Sequence, residues 1–95
     1  MATVVAVATW ELEVYDSQSL KDKRRVVRSL KDRLREKFNL SVIESGHQDA
    51  WQRAEITAAL AAANRAQADS ILEKADSLVE SEHRARVIRA DREYV

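Results

Sequence analysis

Lys21, Arg24, Arg28, Lys31 and Arg35 recur at alternating spacings of three and four residues. On an α-helix, at about 100° per residue, that repeat gathers the side chains into an arc of roughly 80° and strings them over about 21 Å. A row of cations of that length can follow several phosphates of a nucleic-acid backbone, each contact releasing a condensed counterion. Arginine's planar fork matches phosphate oxygens in pairs, whereas lysine binds them as a point charge. The same repeat also describes the solvated side of an ordinary amphipathic helix. Asp32 stands at i+4 from Arg28 and Glu36 at i+4 from Asp32, so both acids fall to one side of the row. Several cations of the row are left with no local partner.

Other residue types that carry chemistry are thinly spread. "ESGHQD" puts Glu44, His47 and Asp49 in one short stretch, which would suit a metal ion or an acid–base pair. The other histidine, His83, is remote, and neither an HExxH pattern nor a glycine-rich phosphate loop is present. The stretch therefore reads as a solvated loop. There is no cysteine, hence no thiolate nucleophile or ligand, and no serine has a recognisable base and orienter. No catalytic, cofactor-binding or metal-binding residue is singled out, and the expectation is a protein that is not an enzyme. Trp10 and Trp51 read as packing residues, because tryptophan is highly buried on average. Lys23 falls near the centre of the apolar arc of its helix, and its long stem is expected to cover apolar surface while the amine reaches the helix edge. An ammonium anchored by a carboxylate or phosphate beside the sheet is the other reading.

The elements that must hold these residues come from 95 residues, a length that suits one domain spanning 1–95. A hydrophobic fraction of 45% supports a folded core, and only 5% aromatics makes that core mostly aliphatic. The net charge of zero hides a strong asymmetry: residues 17–37 hold nine cations against three acids, and residues 38–82 hold three cations against eight acids. "MATVVAVATWELEVYD" has no positive start and turns acidic at Glu11 and Glu13, unlike a secretory signal. No stretch is long and apolar enough to span a bilayer. With the lack of cysteine, this leads to the expectation of a soluble, cytoplasmic protein with no membrane partner.

"TVVAVATWELEVY" is β-branched and alternating, a strand with Val4, Ala6, Ala8, Trp10, Leu12 and Val14 on its core face. "YDSQS" supplies a turn with Ser17 or Ser19 as helix cap. Leu20, Val26, Val27, Leu30, Leu34 and Phe38 then share an arc of roughly 120°, the docking face of a long helix. "FNLSVIESG" reads as a short strand ending at the lone glycine, Gly46. Ile71, Leu72, Ala75, Leu78 and Val79 have helical spacing, and "HRARVIRADREYV" reads as a strand. Between them, "AEITAALAAA" fits either an alanine-rich helix or a buried strand, and periodicity leaves both open. If it is a strand, the order is βαββαβ, a two-layer α+β sandwich.

"SLKDKR" at Ser19–Arg24, "KFNLSVIE" at Lys37–Glu44 and the following "HQDAWQRAEI" with Trp51 resemble the YlxP-like family of small bacterial proteins, also catalogued as domain of unknown function 503. The resemblance covers nearly the whole chain. It implies a ferredoxin-like βαββαβ two-layer sandwich, an antiparallel four-stranded sheet with both helices on one face, and hence a strand for "AEITAALAAA". It implies no catalytic residues. The frequent neighbourhood of such genes with translation and ribosome-maturation factors points toward RNA or a ribosomal particle. On such a sheet, stacking of the RRM kind is disfavoured, because the open face of the first strand offers Val5, Val7, Thr9, Glu11 and Glu13. Arg84 and Arg86 are expected to face Glu11 and Glu13 across the ladder. Val5 and Val7 are left as a possible homodimer patch. The expected function is binding of structured RNA or a ribosomal particle through Lys21, Arg24, Arg28, Lys31 and Arg35. The alternative is a protein-interaction module, homodimeric through the open sheet face and binding an acidic protein partner.

Overall fold

In a computed structural model of the chain, which describes residues 3–95, the elements follow the order βαββαβ. They are β1 (Val4–Val14), α1 (Leu20–Phe38), β2 (Ser41–Gly46), β3 (Arg53–Ala62), α2 (Arg65–Glu80) and β4 (Ala85–Tyr94). The strands pair antiparallel in the order β2-β3-β1-β4. Both helices cover the same sheet face, where Ala6, Ala8, Trp10, Leu12 and Val14 of β1 are buried. This is the ferredoxin-like sandwich.

The ambiguous alanine-rich segment is β3. Its even residues, Ala54, Ile56, Ala58, Leu60 and Ala62, are buried, and it pairs with β1 from Val4↔Ala62 to Glu13↔Arg53. Alanine's helix preference is overridden by tertiary pairing between two central strands. The small side chains of Ala54 and Ala58 stand opposite Leu12 and Ala8, while Ile56 stands opposite Trp10. Trp10 is thereby sunk into the core, with its Nε1 donating to Asp76 Oδ1 of α2 at 2.8 Å.

α1 begins where its sequence requires. Ser19, extended, accepts from the Asp22 amide at 3.1 Å, and Asp22 Oδ2 in turn accepts from the Gln18 amide at 3.2 Å. The helix ends at Asn39, whose left-handed backbone (φ 53°) lets its amide reach Arg35 O at 3.0 Å. Val26, Val27, Leu30 and Leu34 are buried beneath it, as the apolar arc predicts, and Phe38 is partly buried.

The last strand departs from expectation in one respect. Arg86 meets Glu13 at 2.8 Å, as the alternation predicts. Arg84, however, precedes β4 and turns to the helix side, where Glu82 holds it. Opposite Glu11 stands Arg89, which a register shift between Glu11 and Leu12 puts there in place of Ile88.

A candidate nucleic-acid interface on the first helix

α1 presents two unlike flanks. Arg33 lies on the flank toward the end of α2 and donates to Glu82 Oε1 at 2.6 Å. Arg35, on the other flank, donates to Val42 O of the edge strand β2. The predicted row therefore runs along the outer side of the helix layer, above the β2 edge.

Lys21, Arg24, Arg28 and Arg35 are exposed and Lys31 is half-buried. The row is not uniform in its bonding. Asp32 pairs with Arg35 at 3.7 Å rather than with Arg28, and Arg35 also holds the edge carbonyl. Among the described residues, Lys21, Arg24, Arg28 and Lys31 make no salt bridge, so their charge is uncompensated locally. Arg25, absent from the row as read from spacing, joins Lys21, Arg24 and Arg28 around a shallow depression of about 390 Å³. Its wheel position beside Lys21 and Arg28 was the available signal. A depression walled by four cations and no acid offers an anion several N–H donors at once.

Lys23 does not snorkel. It is fully buried, and Nζ donates to His47 O at 2.6 Å and Gln48 O at 3.2 Å and lies 3.1 Å from Glu44 Oε2. Two of its N–H donors are thus met by backbone carbonyls, and the Glu44 carboxylate at ion-pair distance balances its charge. Glu44, near the end of β2, is consumed by this pair and His47 turns to Glu11 Oε1 at 3.3 Å, so the two do not converge on a common point. Trp51 is not a packing residue: it is exposed at the end of the same loop, as is Tyr15 at the end of β1.

Glu82 is a functional-looking centre that periodicity gave no hint of. Buried just past α2, its carboxylate accepts from Arg84 Nε and Nη2 at 2.8 Å each, from the Arg84 amide at 2.9 Å and from Arg33. The bonds from Arg84 outweigh the burial that opposes charge, and its pKa is lowered to about 2. This centre ties α1 to the start of β4, and both guanidiniums already direct N–H donors at its one carboxylate.

A family model described as "Protein of unknown function (DUF503)" matches residues 5–92. The chain belongs to the DUF503 family. A curated relative, "Uncharacterized protein YlxP" of Bacillus subtilis (strain 168), is 35% identical over 78 residues, covering 82% of this chain and 85% of the relative. Among solved structures, a de novo designed protein with a ferredoxin fold, determined by solution NMR, aligns over all of this chain and 84% of its own, at 17% identity and a TM-score of 0.50. That likeness concerns the fold alone. What this DUF503 member does has to be argued from its surface.

Proposed function

We propose that the protein binds structured RNA, free or within a ribosomal particle, through the outer flank of α1, without catalysis and in the cytoplasm. The observation that carries this reading is the depression walled by Lys21, Arg24, Arg25 and Arg28, cations that no acid of the described chain neutralises. Double-stranded RNA is recognised largely by shape and by phosphate and 2′-OH contacts, which a straight row of donors can supply without reading bases. The open sheet face supports the same choice of surface: its β1 and β3 residues include Thr9, Glu11, Glu13 and Glu55 and no aromatic ring. The cations of that face are already engaged by carboxylates, Arg53 by Glu11, Arg86 by Glu13 and Arg89 by Asp91.

Replacing Arg24, Arg28 and Lys31 together by Glu should abolish binding to rRNA fragments or subunits at moderate salt and leave the thermal midpoint nearly unchanged. For the wild type, four phosphate contacts give a slope of log affinity against log salt on the order of −3 to −4, taking duplex DNA as the guide. Unchanged affinity in the triple variant removes the basis of the reading.

A second reading is a protein-interaction module, homodimeric through the open sheet face with α1 meeting an acidic partner. It is favoured by Val5 and Ile43, exposed on the face that no helix covers. Nuclease treatment before a pull-down separates the two, since an association carried by RNA disappears and a direct protein contact survives.

A further inference from the structure

An exposed indole in the loop between β2 and β3 and a buried ammonium in the first turn of α1 are joined through that loop's backbone. Trp51 keeps 54% of its surface exposed, whereas Trp10 keeps 1%. Full burial of a large apolar side chain is worth on the order of 1.5–3 kcal/mol, and at Trp51 the fold leaves much of that unused.

The backbone carrying Trp51 is nevertheless tightly tethered. Lys23 holds the carbonyls of His47 and Gln48. Gln52, the next residue after Trp51, donates through Nε2 to Ser17 O at 3.0 Å and accepts at its carbonyl from the Val14 amide at 2.9 Å. The loop is thereby fixed beside Ser17 and the cap Ser19, the end of α1 from which the basic depression at Lys21 begins. Tyr15, 45% exposed, lines a depression with Gln52 at this same end. A tethered backbone lowers the entropy lost when the loop binds a partner.

We propose that Trp51 is a stacking platform for an unpaired nucleotide adjoining the duplex held by the basic row, with buried Lys23 as the residue that positions its loop; this rests on the RNA reading above. Stacking tolerates any base, because every base has a π-face. The phosphates are left to α1, and the target becomes a helical stem with a single-stranded extension or bulge.

The test compares a labelled blunt RNA duplex with the same duplex bearing a short single-stranded extension, by fluorescence anisotropy. The wild type binds the extended RNA about tenfold more tightly, the effect of one stacked base. Trp51→Ala loses that preference, and Trp51→Phe keeps part of it. Indole emission is quenched by the extended RNA and not by the blunt one, with the buried Trp10 as a constant background. Lys23→Met combined with Glu44→Gln removes the tether without stranding a charge, and it also loses the preference. Equal wild-type affinity for the two RNAs, or an undiminished preference in Trp51→Ala, overturns the platform while the basic row stands. Affinity for both RNAs that survives reversal of Arg24, Arg28 and Lys31 overturns the platform and the row together.

Discussion

At the scale of single residues, Glu82 carries a strongly perturbed carboxyl group. Its pKa falls from an ordinary 4.5 to about 2, because hydrogen bonds from Arg84 and Arg33 favour the charged form more than burial disfavours it. The folded value lies below the unfolded one, so this carboxylate stabilises the fold in full above about 4.5. That contribution is lost as pH falls through about 2. Thermal melts across this window should show a falling midpoint, with a shallower fall in Glu82→Gln. At neutral pH the same substitution leaves two guanidiniums without their buried partner and should destabilise by about 3 kcal/mol, measurable by urea unfolding. In the sequence Glu82 looks no different from Glu80, two residues earlier and exposed. Only the docking of α1 against the end of α2 distinguishes them.

At the scale of elements, α1 was legible almost completely. Its cap residues, its apolar arc and its row of cations follow from local spacing, and each is where the period of 3.6 places it. What spacing could not convey is the environment of each flank. Lys23 sits at the centre of the apolar arc, and whether it escapes to solvent depends on the loop after β2, whose position no periodicity describes. Arg35 belongs to the row by angle, yet it is drawn to Val42 O by the neighbouring strand. β3 was ambiguous for a similar reason: alanine packs equally well in either element, and the partner strand decides. The buried ammonium gives a sharp contrast within one helix. Lys23→Ala leaves Glu44 and two loop carbonyls without their cation and should lose about 3 kcal/mol in urea unfolding. Arg24→Ala, one residue on and exposed, should stay within about 0.5 kcal/mol of the wild type.

At the scale of the whole molecule, a net charge of zero and a pI near 6.7 would suggest indifference to polyanions. Screening makes that inference unsafe. With a Debye length of about 8 Å at physiological salt, a polyanion lying on α1 scarcely feels the acids on the far side of the protein. The wild type should therefore be retained on a heparin column at neutral pH and eluted by salt, while the reversal of Arg24, Arg28 and Lys31 should pass straight through. The sheet that carries this helix has two edges, and each is blunted by a different device. Along β2, Arg35 occupies the Val42 carbonyl. Along β4, the shifted register at Glu11 and Leu12 breaks the ladder, and Arg86, Arg89, Asp91, Arg92 and Glu93 make the rim densely charged. The chain has no proline with which to interrupt an exposed strand. These devices have a colloidal consequence: an edge-to-edge collision meets a capped carbonyl on one side and a charged rim on the other, which disfavours strand addition and fibril growth.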